Sequence, residues 1–141
     1  MEAVNKGLAN ARGEVVAIQS SDDLYLPGAI EAAVAALEEQ ADLAFVYGDV
    51  EYVDARGAVT GRTELAPWSV RAYLGRELYV NQAAAFFRSW AAREVGRWDE
   101  EVPYAADSDY WLRMGLRFPA RKLDRLLARY RYHDAQRDKA G

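Results

Sequence analysis

The sequence predicts an α/β layered domain, and three observations predict it. Short apolar runs of strand length alternate with stretches of helical period, turn residues bound each run, and an acidic loop stands just past the carboxyl end of the first run. Ligands of such domains are expected beyond the carboxyl ends of the strands. At 141 residues the chain is one domain's worth. A hydrophobic share of 51% excludes disorder as an account of its behaviour.

The elements follow in order. Residues 2–12 form a short helix with Val4 and Leu8 on one side, stopped by Gly13, and EVVAI then reads as a buried strand that ends in SSDD. Pro27 fits the first turn of a helix whose Ile30, Ala33, Val34 and Leu37 recur as one apolar face through about Glu39. Leu43–Tyr47 is a second strand ending at Gly48-Asp49, and VEYV and AVTGR flank Asp54-Ala55-Arg56-Gly57 as a hairpin. An amphipathic helix over Pro67–Leu74 comes next, then a strand at Ala83–Phe87 and a short helix from a Ser89 cap to Gly96. Asp107 or Ser108 caps DYWLRMGLRF, and LLARYRYH closes as a strand with a polar tail. No repeat or linker supports a second domain; residues 1–133 form the domain and 134–141 the tail.

Composition narrows the partners. Lys plus Arg is 18 against 22 Asp plus Glu, without a basic block suited to a phosphate backbone, so no nucleic acid is expected. With no cysteine, disulfides, thiolate metal sites and cysteine nucleophiles are excluded, and any metal falls to oxygen ligands or to the single His133. No apolar run approaches the roughly 20 residues of a membrane helix. Peripheral membrane contact through Trp68, Trp90 and arginines stays open, with core packing the stronger use of those rings.

Four groups can carry chemistry. Asp22 and Asp23 offer a half-shell for Mg²⁺ or Mn²⁺ on a diphosphate, although by spacing alone the solvated helix cap is the stronger reading. Asp107 is better placed than Asp109 to face a cleft and accept a proton, and reads equally as an ordinary cap. His133 is either a metal ligand or a surface residue, and Asp49, beside Gly48, is either a strand-end carboxylate or part of a simple turn.

Taken in order, NKGLANARGEVVAIQSSDDLYLPGAI, VYGD, NQAAAFFRSWAAREVGRWDE, AADSDYWLR and YRYH resemble the family-2 glycosyltransferases, inverting enzymes of the GT-A fold. The resemblance covers nearly the whole chain. It implies a GT-A-like, Rossmann-like mixed sheet with flanking helices, and sugar transfer from a nucleotide-diphosphate donor to the hydroxyl of a glycan or lipid-linked acceptor, as in cell-envelope polysaccharide synthesis. Asp23 is then the ligand of a divalent metal, Mn²⁺ or Mg²⁺, with Asp22 assisting the ion or the donor ribose, Ser20 and Ser21 in the same donor loop, and His133 completing the metal site. Asp107 is implied as the general base, Gln82 and Asp49 lie on the acceptor side, and Trp111 and Arg113 belong to the helix behind the base. A cytoplasmic location, at the inner face of the membrane, accompanies these assignments.

Three departures from the family pattern stand out. Ser20 replaces an Asp or Asn, Ala106 replaces the Glu of a Glu-Asp pair, and the chain starts after the family's nucleotide-binding N-terminal portion. An N-terminally truncated domain is therefore expected, with an exposed sheet edge that invites a homo-oligomer. The competing reading is a non-catalytic remnant that acts as a binding or assembly module. A metal-dependent nucleotidyltransferase is weaker still, because a Gly-rich phosphate loop with a Lys is lacking.

Overall fold

The structure, a computed structural model, describes residues 1–102 and 104–132. Its elements are α1 (Glu2–Asn10), β1 (Val15–Ala17), β2 (Leu24–Tyr25), α2 (Ala29–Glu39), β3 (Phe45–Val53) and β4 (Val59–Arg62), then α3 (Val70–Leu74), a 3₁₀ turn (Gln82–Ala84), β5 (Ala85–Arg88), α4 (Ser89–Val95), α5 (Ala106–Arg117) and β6 (Ala120–Arg131). The strands make one mixed sheet in the order β1-β5-β3-β6-β2, with β4 paired to the far half of β3. β3 and β6 run parallel at its centre, and their other neighbours are antiparallel. The mixed α/β fold is as expected.

Alternation along the strands sends side chains to both faces. Phe45, Tyr47 and Phe87 point to one face and meet Tyr110, Trp111 and Met114 of α5, with α1 and α4 packed around them. Val46, Val50 and Phe86 point to the other and meet Ala33, Ala36 and Leu37 of α2. Both faces are therefore covered, which is why the central strands read as nearly continuous apolar runs.

Several boundaries differ from the sequence expectation. β3 does not stop at Tyr47 but continues to Val53, carrying Asp49 inside the strand rather than at its end. The strand survives because β6 bulges against it: Tyr47 pairs with Lys122 while Asp49 pairs with Leu126. The close approach needs glycine, since a Cβ on Gly48 would lie 2.6 Å from the Leu127 side chain and 2.7 Å from the Arg125 carbonyl oxygen.

The face of α2 is also rotated. Ala29, Ala33, Ala36 and Leu37 are buried while Ile30 is 51% exposed, because alanines let the helix lie close on the sheet and Ile30 would hold it off. Gly28, at φ 76°, takes the position before the helix, so Pro27 precedes the first turn instead of occupying it. Ser89 is the first helical residue of α4 rather than its cap, and Ala105, without a side-chain bond, precedes α5. The stretch from Ala83 opens as part of a 3₁₀ turn whose Ala83 amide donates to Asn81 Oδ1 at 2.9 Å. The last strand is longer than LLARYRYH and starts at Ala120. The polar tail 134–141 lies outside the described residues.

A small residue packs against a large one at Gly115, in the last turn of α5. A Cβ there would fall 1.9 Å from Cζ2 of Trp68, whose ring also packs at 5.1 Å from Phe45 and 5.0 Å from Tyr73. Helix propensity alone makes Gly→Ala stabilising by about 0.8–1 kcal/mol, whereas forcing a methyl into a packed site costs about 1–3 kcal/mol. Gly115→Ala is therefore expected to lower stability in a urea titration; a variant as stable as the parent would show that Trp68 yields freely.

Candidate functional site

The acidic loop leaves β1 and closes as a tight turn in which the Asp23 amide donates to the Ser20 carbonyl at 3.2 Å. The two residues of β2 then pair with β6, Leu24 opposite Arg129 and Tyr25 opposite Ala128, which sets Asp23 beside Arg131. The Arg131 amide donates to Asp23 Oδ1 at 3.0 Å, and its guanidinium donates to the carbonyls of Asp22 (3.3 Å), Asp54 (3.0 Å) and Ala55 (3.2 Å). One side chain thus ties the acidic turn, the end of β6 and the hairpin tip together.

The opposite wall comes from the segment before β5 and from α5. Gln82 Nε2 donates to the Ile18 carbonyl at 3.4 Å, which ties this wall to the end of β1. Asp107 sits in the first turn of α5, where its Oδ1 accepts the Ser108 amide at 2.8 Å. A cleft of about 260 Å³ opens between the walls, and Ser20, Asp23, Gln82 and Asp107 all line it. Val80 and Ala83 also line it, as do Tyr79, Asn81 and Tyr130, polar residues that were not singled out from the sequence. Asn81 precedes Gln82 directly and Tyr130 lies inside YRYH, so proximity to quoted motifs was the only signal.

Burial is the main influence on both carboxylates. Desolvation pushes Asp23 above the usual 3.8, with help from the charge of Asp22 and against the Arg131 amide, the Arg131 charge and Ser20. Asp107 is likewise pushed up by desolvation, opposed by hydrogen bonds from backbone amides and from Ser108. Two acids held reluctant to ionise therefore face one cleft.

The remaining candidates are dispersed. Asp22 and Ser21 belong to the same turn without lining the cleft. Asp49, inside β3, accepts from the Thr63 hydroxyl at 3.0 Å and the Leu65 amide at 2.7 Å and pairs with Lys122 at 3.0 Å, so it fastens the segment after β4 to the sheet. Trp111 is buried in the aromatic core. Arg113 pairs with Asp109 at 2.8 Å and donates to the carbonyls of Val95 (2.6 Å) and Arg97 (2.9 Å), locking α5 to the end of α4. His133 lies outside the described residues.

Among the described residues no three His, Asp or Glu side chains come together to hold a metal. Asp23, Ser20, Asn81 and Gln82 nonetheless line the cleft and each side chain carries an oxygen, Asp23 Oδ1 already accepting the Arg131 amide at 3.0 Å and Asn81 Oδ1 the Ala83 amide at 2.9 Å. Such a partial shell fits Mg²⁺ or Mn²⁺, which take one or two carboxylates and complete their coordination with water and substrate phosphate.

A family model described as glycosyl transferase family 2 matches residues 1–93. The chain belongs to that family. An uncharacterized glycosyltransferase of Mycobacterium tuberculosis is 28% identical over 117 residues, covering 82% of this chain and 44% of the relative. One from Methanocaldococcus jannaschii is 23% identical over 112 residues, covering 77% and 38%. The family-2 chain therefore spans less than half the length of these curated relatives. Among solved structures, residues 1–349 of S. aureus TarS in complex with UDP-GlcNAc match with a TM-score of 0.72 at 17% identity, over 97% of this chain and 40% of that one. That likeness is one of fold, and the fold is that of a GT-A glycosyltransferase.

The raised acids have a consequence for stability. A carboxyl whose folded pKa exceeds 3.8 binds its proton more tightly in the folded state. Its favourable contribution is full below 3.8 and is lost as pH rises through the folded value, so at pH 7 the half-buried, ionised Asp107 costs stability. Asp107→Asn keeps the hydrogen-bond acceptor and removes the charge. It is expected to raise the melting temperature at pH 7, with the gain shrinking as pH falls towards 4; a gain independent of pH would assign it to something other than ionisation.

Proposed function

We propose that the cleft holds the diphosphate of a nucleotide-sugar donor and the hydroxyl of a glycan or lipid-linked acceptor, and that the sugar passes between them with inversion. The observation that carries the reading is that Asp23 and Asp107, brought from two distant segments, line the same cleft with Ser20 and Gln82. Family membership supports sugar transfer in general. The UDP-GlcNAc bound to TarS supports a nucleotide-sugar as the donor class.

In the proposed reaction the acceptor oxygen bonds to the anomeric carbon from the face opposite the diphosphate. The bond from that carbon to the diphosphate oxygen breaks, its electron pair leaves with the diphosphate, and the hydroxyl proton passes to the Asp107 carboxylate. A base is most effective when its pKa lies nearer the working pH, which the burial of Asp107 favours. Asp23, with Asp22 adjacent, would hold Mg²⁺ or Mn²⁺, and such an ion would supply positive charge to the leaving diphosphate. Ser20 and Ser21 belong to the turn that would hold the donor, and Gln82 to the acceptor side.

No helix among the described residues is long and apolar enough to cross a membrane. We place the reaction in the cytoplasm, at the inner face of the membrane when the acceptor is lipid-linked.

Turnover of UDP-GlcNAc and other nucleotide-sugars, followed with and without Mn²⁺, tests the assignment. Asp107→Asn is expected to lower the rate by about 10²–10⁴-fold, and Asp23→Ala to remove the response to Mn²⁺. Equal rates in parent and variants would sink both roles.

A second reading, a non-catalytic assembly module, is favoured by one observation: β1 ends the strand order and pairs, among the described residues, with β5 alone. An edge strand of this kind, here Val15–Ala17, is a template for another strand. This reading expects a dimer in sedimentation that Val16→Pro converts to monomer; a parent chain that is monomeric at all concentrations contradicts it.

A further inference from the structure

We infer that the tyrosines at the far ends of β3 and β6 form a second carbohydrate subsite, which takes the sugar ring adjoining the acceptor residue of an oligosaccharide. The inference rests on reading the cleft as a transferase site and names the acceptor class: a chain of sugars rather than a single one.

The arrangement follows from register. Tyr52 pairs directly with Tyr130 across β3 and β6, and Tyr132 lies two residues beyond Tyr130, so the three rings share one side of the sheet. Tyr52 and Tyr130 meet edge to face at 6.0 Å, and Tyr130 and Tyr132 lie 6.2 Å apart. The Tyr52 hydroxyl is hydrogen-bonded to that of Tyr79. Tyr79 and Tyr130 line the Asp23–Asp107 cleft, while Tyr52 and Tyr132 line a neighbouring cavity of about 490 Å³ with Asp54 and Thr60. One aromatic wall therefore runs from the first cavity into the second.

The chemistry of that wall suits a sugar. A pyranose has an apolar C–H face that packs on an aromatic ring and an edge of hydroxyls that needs nearby polar groups. Tyr132 is 46% exposed and Tyr79 43%, so both residues reach solvent at this wall. Asp54 and Thr60 supply the polar edge and are held firmly: Asp54 Oδ1 accepts the Arg56 and Ala58 amides, each at 2.9 Å, and Thr60 Oγ1 donates to the Tyr52 carbonyl at 3.3 Å. The Asp54 carboxylate repels phosphate, which favours a neutral saccharide over the nucleotide part of the donor.

Calorimetric titration of the full chain with chitin- and cellulose-derived oligosaccharides of one to four sugars tests the subsite. Affinity should rise about fivefold or more on going from one sugar to the longer chains. Tyr132→Ala should abolish that rise, Tyr132→Phe should retain it, and UDP affinity should be the same in all three proteins. No binding by any oligosaccharide, a length dependence unaffected by Tyr132→Ala, or a parallel loss of UDP affinity would overturn the inference. The transferase reading fails separately: a length effect that depends on Tyr132 without any turnover sinks only the catalytic assignment, and turnover that depends on Asp107 without a length effect sinks only the subsite.

Discussion

The parallel pairing of β3 with β6 is the constraint on which the rest of the structure depends. It joins the middle of the chain to its far end, divides the core into an aromatic layer under α5 and an aliphatic layer under α2, and extends from Phe45 opposite Ala120 to Val53 opposite Arg131. The pairing tolerates two breaks in register, and Gly48 is what lets the bulged β6 pass close to β3 at the first of them. Parallel pairs far apart in sequence form late and at an entropic cost, so the contacts at their ends matter disproportionately.

Those ends are where the cleft lies. Arg131, the last residue of β6, receives the acidic turn on one side and the hairpin tip on the other. The carboxylate of Asp23 is thus positioned by a backbone amide of the central strand and not by its own loop alone. Asp107 reaches the same cleft from a helix whose orientation is set by Tyr110, Trp111 and Met114 in the core. Burial that orients these acids also raises their pKa values, so stability and proton affinity are tied together at this site.

Local readings succeeded where the physics is local. The Asp54–Gly57 turn is a hairpin, closed by the Asp54 amide to the Ala58 carbonyl and by Gly57 at φ 86°. Asn5, in the first quoted motif, illustrates the opposite case. Its amide brackets Trp98, donating to the carbonyl at 3.1 Å and accepting from the amide at 2.8 Å, a contact between residues too distant in sequence for any periodicity to reveal. Asp49 belongs to the same class: as a strand-end carboxylate it is indistinguishable in sequence from Asp23, yet three partners hold it in a structural role.

The sequence by itself determined the alternation of strands and helices, the hairpin, the absence of thiol chemistry and the family, because these depend on spacing, turn chemistry and ordered motifs. Only the tertiary structure decided which carboxylates meet. Asp23 and Asp107 share a cleft and Asp49 does not, because β-bulges, the β2–β6 pairing and the packing of α5 act between segments whose separation along the chain carries no information about their distance in space.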